Sequence, residues 1–142
     1  MKDRVFFDTN IICYAFDSSE PSKRKVCERL IERVYKEEIL GVISNQVLVE
    51  TYNVLTRKFG ISTTTTRDIM KSLTTSKNWY RINYNSNTVN RAIDDLERFQ
   101  VSFLDLLIAE TMKENLINEI ITENVKDFEK ISGIKAINPF KS

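Results

Sequence analysis

Val5-Phe6-Phe7-Asp8-Thr9-Asn10 decides how the chain is read. A short apolar run with a β-branched residue and two aromatics has the chemistry of a buried strand. It ends on a carboxylate, a hydroxyl and an amide, the side chains that cap helix N-termini. A second apolar run, Ile11-Ile12-Cys13-Tyr14-Ala15-Phe16, follows at once. Asp8 is therefore expected where a strand hands over to a helix. In open α/β sheets ligands bind beyond the carboxyl ends of the strands, so Asp8 is either a helix cap or a site residue.

The chain has 142 residues, 42% of them hydrophobic and 29% charged, which suits one globular domain spanning residues 1–142. The formal net charge of +1 creates no global field toward nucleic acid or membrane, although 21 lysines and arginines leave room for a local basic surface. The apolar runs fall short of membrane-spanning length, and the Met1–Arg4 start reads directly into a strand without a secretory core. Cys13 and Cys27 provide neither a disulfide framework nor metal-site spacing, so a cytoplasmic location is expected. The sequence contains no histidine. That excludes Ser-His-Asp and Cys-His catalysis and imidazole-bound zinc. What remains is chemistry with carboxylates, hydroxyls, amines or a metal held by oxygen.

Outward from the first strand, Ser18–Ser22 is a turn leading into a helix that is expected to run to about Glu38, with Val26, Cys27, Leu30, Ile31 and Val34 at helical spacing. Gly41-Val42-Ile43 is a short strand, and Ser44 caps a helix from Asn45 to Lys58 that stops near Gly60. Thr63–Thr66 opens another helix, and Trp79–Ile82 is a strand. Ser86 opens an amphipathic helix expected to turn Val89, Ala92, Ile93, Leu96 and Phe99 inward. The most apolar helix begins at Ser102 and ends near Asn115; Glu119–Thr122 is a strand with a polar end, Val125–Ile131 a short helix, and Lys135–Ile137 a last strand. Short strands alternating with helices predict a three-layer α/β/α fold around a mostly parallel sheet.

On a helical wheel Asp105 falls between Met112 and Ala109, inside the apolar arc. A buried, unpaired carboxylate is costly, so it demands a partner or a change of protonation. Ser102-Phe103-Leu104-Asp105 also fits a capping box with Asp in place of Glu, and both readings stand at this stage. Asp8 and the polar end of the Ile120-Ile121 strand belong at one sheet edge. Glu50, less than two turns into its helix and flanked by Val47 and Val54, starts near the same edge. Carboxylates converging there repel unless a cation joins them. Oxygen ligation with retained water suits Mg2+ or Mn2+, whose matching chemistry is metal-assisted phosphodiester hydrolysis.

The ordered motifs VFFDTN (5–10), SNQVLVE (44–50), SFLDLLIAE (102–110) and ITENVKDF (121–128), closing on INPF (137–140), resemble a PIN domain across essentially the whole chain. More narrowly the chain is similar to the ribonuclease toxins of VapBC-type toxin–antitoxin modules. The resemblance implies an Mg2+- or Mn2+-dependent endoribonuclease with a cluster of acids. Asp8 and Asp105 match its direct metal ligands. Glu50 matches an acid that binds metal or orients the attacking water. Thr9 and Asn10 match the polar companions of the first acid. At the fourth position the family often has Asp two residues after the strand-end Thr122; here Asn124 stands there, followed by the pair Asp127-Phe128. Asp127 either completes the site or caps the short helix. A homodimer and a small antitoxin protein, with RNA as substrate, are also implied.

Two other readings compete. A haloacid-dehalogenase-like phosphatase places its nucleophilic Asp after the first strand, but wants a second Asp where this chain has Asn10. A catalytically weak scaffold binding RNA or protein is kept open by Asn124. Lys23, Arg24, Arg57, Lys58 and Lys77 are candidate RNA contacts, although such residues are more often solvated surface charges.

Overall fold

A computed structural model describes residues 3–141; Met1, Lys2 and Ser142, at the ends of the expected domain, lie outside them. The apolar runs form strands β1 (Arg4–Phe7), β2 (Leu40–Ser44), β3 (Trp79–Ile82), β4 (Glu119–Ile121) and β5 (Lys135–Ile137). All pair in parallel, in the order β3-β2-β1-β4-β5. Phe6 stands in register with Val42 on one side and Ile120 on the other. Successive strand residues point to opposite faces, and Phe6 and Phe7 are both fully buried, so helices cover both faces as expected.

The helices are α1 (Thr9–Tyr14), α2 (Pro21–Tyr35), α3 (Asn45–Asn53), α4 (Thr63–Thr75), α5 (Ser86–Asp95), α6 (Phe103–Glu114) and α7 (Val125–Phe128). Among the described residues none is long and apolar enough to cross a membrane. One hydrophobic core joins Phe6, Phe7, Ile11, Ile43, Leu106 and Phe128 across the layers. Trp79 closes the β3 side, its ring edge-on to Phe7 at 5.1 Å.

The chain builds β1 first, moves outward to β2 and β3, then returns to lay β4 and β5 on the other side. The gap at the carboxyl ends of β1 and β4 is thus the switch point of the sheet, where such folds bind ligands. The backbone N–H of Asp8 donates to the carbonyl of Ile121 at 3.1 Å, tying the two strand ends together there.

Several details differ from the sequence expectation. The helix after β2 does not run uniformly to Lys58: α-helical bonding stops at Asn53, and Val54–Lys58 forms a wider π-helical turn. α2 stops at Tyr35, ahead of Glu37, whose φ is +61°. α7 ends at Phe128, not Ile131. Ile93 and Leu96 point outward, 49% and 46% exposed, where they were expected inside. α5 packs on α6 through Thr88, Ala92 and Asp95, all buried and themselves spaced as a helical stripe. Two stripes on one helix satisfy the same periodicity, and the position of α6 selects between them.

Gly41 is needed for its lack of a side chain. A Cβ there would lie 2.7 Å from Trp79 Cζ3 and 2.8 Å from Val34 Cγ2, both buried. Gly41→Ala is therefore expected to destabilise the fold by about 1–3 kcal/mol through overpacking, read as a lower denaturant midpoint at unchanged slope. An unchanged midpoint would show that β2 and β3 have room to separate.

Candidate active site

Asp8 ends β1 and caps α1. One carboxylate oxygen, Oδ1, accepts from the backbone N–H of Thr9 at 2.8 Å. The other, Oδ2, accepts from Thr122 Oγ1 at 2.8 Å and Asn10 Nδ2 at 3.3 Å. The residue is only 7% exposed. Burial pushes its pKa above the ordinary carboxylate value and Glu50 adds to the rise, against the hydrogen bonds from Thr122, Thr9 and Asn10. Cap and site residue are thus one arrangement: the α1 N-terminus supplies a donor that holds the carboxylate in place.

Glu50 reaches the same place from α3, whose start is fixed by Ser44, capping through the Val47 N–H at 3.2 Å. Thr9 Oγ1 donates to Glu50 Oε1 at 3.1 Å, so the residue after the first acid holds the second. Glu50 is half-buried, and its pKa rises through burial first and Asp105 in addition.

Asp105 lies in the first turn of α6. Its backbone N–H, not its carboxylate, completes the cap by donating to Ser102 Oγ at 3.3 Å. The carboxylate turns to the cleft and accepts from Asn124 Nδ2 at 3.1 Å. Burial, then repulsion from Asp8 and Asp127, raises its pKa to about 6, against the hydrogen bonds from Ser102 and Asn124. Asn124 also donates its backbone N–H to Thr122 Oγ1 at 2.9 Å. Thr122 and Asn124 therefore orient Asp8 and Asp105 respectively, and the amide at the fourth position acts as a donor.

Asp127 does not line the cleft. Its carboxylate lies 3.5 Å from Lys130 Nζ, and Asn124 occupies the N-cap of α7. Its charge still reaches Asp105. Cys13 does line the cleft, but burial pushes its thiol up to about 12, so it supplies no thiolate.

One contact at the cleft escaped sequence reasoning, that between Glu123, next to the fourth position, and Lys23, read from the sequence as a candidate RNA contact. Glu123 accepts from Tyr14 OH at 2.6 Å and pairs with Lys23 at 2.5 Å, and its backbone N–H donates to Asn10 Oδ1 at 3.2 Å. Lys23 and Glu123 are 100 residues apart, and no local pattern records such a pairing. Only their charges and the polar end of β4 were visible beforehand.

Asp8, Glu50, Asp105 and Asn124 share a cleft of about 680 Å³ at the switch point. All donors among them are oxygens or an amide, which suits a hard cation. Among the described residues no three acidic groups close into a compact coordination cage. A cation that binds through one or two carboxylates and keeps several waters, as Mg2+ does, fits that spread.

Solved structures share this fold. A toxin–antitoxin complex from Klebsiella pneumoniae aligns with a TM-score of 0.66 and 22% identity, covering 97% of this chain and 99% of that one. VapC20 of Mycobacterium tuberculosis, described as a sarcin–ricin loop cleaving toxin, gives 0.66 and 18%, over 82% of this chain and 86% of that one. VapBC2 from Rickettsia felis, bound to a DNA fragment from its promoter, gives 0.65 and 20%, over 95% and 98%. No curated protein sequence matches the chain. At these identities the structural likeness is one of fold. The PIN domain family model matches residues 5–134, and the chain belongs to that family.

Proposed function

We propose that this PIN domain is a divalent-metal-dependent endoribonuclease and the toxin of a toxin–antitoxin pair. The observation that carries the reading is the cluster itself. Asp8, Glu50 and Asp105 each have a raised pKa and face one cleft at the switch point, with oxygen and amide donors around them. The solved relatives that include a toxin–antitoxin complex and an RNA-cleaving toxin support the biological setting.

In this reading Asp8 and Asp105 hold Mg2+ or Mn2+, and Glu50 binds metal or holds the attacking water. The ion supplies Lewis acidity toward the phosphodiester and a nucleophilic water. Thr122 and Thr9 fix Asp8 before substrate arrives, and Asn124 fixes Asp105, so the acids pay little to organise. The water would add at phosphorus and pass its proton to Glu50 or solvent, a bridging P–O bond would break, and the departing ribose oxygen would take a proton from solvent, leaving one fragment ending in phosphate and the other in a hydroxyl. Asp127 contributes only its charge, through Asp105. A small antitoxin would silence the site by placing a basic residue among the acids, a charge-assisted contact. The protein is further read as a homodimer acting in the cytoplasm, in keeping with two free, buried cysteines.

Asn124 favours one second reading, a PIN scaffold that binds RNA or protein without cutting. The two part on activity. Asp8→Asn, Glu50→Gln and Asp105→Asn should each lower cleavage of a cellular RNA pool in Mg2+ by about a hundredfold or more, the scale of removing one charged group at a reacting centre. Asn124→Ala, which frees Asp105 to wander, should cost about 10–100-fold. Asp127→Asn should retain most activity. A folded, antitoxin-free protein whose fragment pattern is the same in EDTA and in the Asp105→Asn variant is no nuclease of this kind.

Without metal the cluster also sets a pH dependence. The folded protein holds protons on Asp8, Glu50 and Asp105 more tightly than the unfolded chain does, so this part of its stability falls as pH rises. For Asp105 the window runs from the ordinary value of 3.8 to about 6. In EDTA the melting temperature should rise on going from about pH 7.5 to about pH 5, and Asp105→Asn should melt higher than the parent at the upper pH. A parent that melts lower at pH 5 would mean the acids are not destabilised by one another.

A further inference from the structure

The cleft poses a problem for RNA. Six carboxylates line it and a single lysine, Lys58. Affinity for RNA rests on neutralising phosphates, and with Glu123 paired to Lys23 one divalent ion still faces five carboxylates. Lys58 is exposed and forms no ion pair among the described residues. Its charge nevertheless reaches Cys13, Asp17 and Glu123, so it stands within electrostatic range of several parts of the wall. It is presented by the π-helical turn. There the N–H of Phe59 donates to the carbonyl of Val54, five residues back, at 3.1 Å, and Gly60 at φ +64° ends the helix. Such wide turns are frequent at functional sites because they re-aim the residues that follow.

Lys23 is the contrast. Its Nζ lies 2.5 Å from Glu123 Oε2 and over the rings of Tyr14 and Phe140, at 4.9 and 5.4 Å from their centroids. Tyr14 OH holds the other oxygen of Glu123. The charge of Lys23 is thus cancelled by Glu123, the member of the pair that lines the cleft. Tyr14 and Phe59 line it as well; the Tyr14 ring is taken up by Lys23 and Phe140, which leaves Phe59 as the aromatic side chain against which an unpaired base can stack.

We propose that Lys58 binds a backbone phosphate of an unpaired RNA strand lying in the cleft, and that Glu123 masks Lys23 from that strand. This rests on the nuclease reading and adds to it the residue that holds substrate. Lys58 is a binding residue, not a catalytic one.

The test is binding of a short unpaired oligouridylate to the Asp105→Asn protein in fixed Mg2+ over a series of KCl concentrations. Lys58→Met should weaken binding and reduce the slope of log K against log[salt] by about 0.7, the loss of one contact on a single strand. Lys58→Arg should restore it. Glu123→Gln, which keeps a partner for Tyr14 and releases Lys23, should tighten binding and steepen the slope by a similar amount. Lys71→Met, an exposed lysine outside the cleft lining, should change neither. A Lys58→Met slope equal to the parent's, or an equal loss in Lys71→Met, overturns the phosphate site. Unchanged binding in Glu123→Gln overturns the mask. An Asp105→Asn parent that still cuts the oligonucleotide marks failure of the nuclease reading, whereas an uncut oligonucleotide with an unmoved Lys58→Met slope overturns this inference alone.

Discussion

Repulsion among Asp8, Glu50 and Asp105 is the constraint on which the rest of the site depends. Each is drawn out of water, and each lies within electrostatic reach of at least one of the others. Left to themselves such groups separate or take up protons. The fold prevents the first by anchoring them on three elements that share a core: the end of β1, the second turn of α3 and the first turn of α6. It limits the second with donors, most heavily on Asp8, whose two oxygens accept three hydrogen bonds. The result is an arrangement that is unfavourable alone and that a bound cation would relieve.

The donors form a relay between chain segments far apart in sequence. Asn10 donates to Asp8 and accepts from the N–H of Glu123. Thr122 donates to Asp8 and accepts from the N–H of Asn124, whose side chain then holds Asp105. Displacing the turn after β4 would therefore disturb Asp8 and Asp105 together. This gives Asn124 a role that a carboxylate there would not fill. An acid at the fourth position adds charge, whereas the amide adds a hydrogen bond and lowers the pKa of its neighbour.

Much of this was legible in the sequence because it is local. The strand-to-cap transition at Asp8, the Ser44 cap and the alternation of short strands with helices follow from side-chain chemistry a few residues wide. Asp105 was visible as a carboxylate in an apolar arc, but its two readings differed only in which atoms made the cap. The backbone N–H makes it and the carboxylate goes to Asn124 in the cleft, a distinction no pattern of letters carries. What stayed hidden depends on partners distant in the chain. The Lys23–Glu123 pair joins α2 to the end of β4. The outward turn of Ile93 and Leu96 depends on where α6 packs. The π-helical turn at Val54–Lys58 leaves the apolar spacing of its helix nearly intact, so periodicity missed it.

The central claim is that the three acids form one cation site, and divalent binding tests it without reference to any substrate. Titration of the metal-free protein with Mn2+, following the free ion by its electron paramagnetic resonance signal, should show saturable binding that is lost in both Asp8→Asn and Asp105→Asn while both variants remain folded. Equal Mn2+ binding in the parent and the two variants would contradict the account, because the carboxylates would then be crowded together for some purpose other than holding a cation.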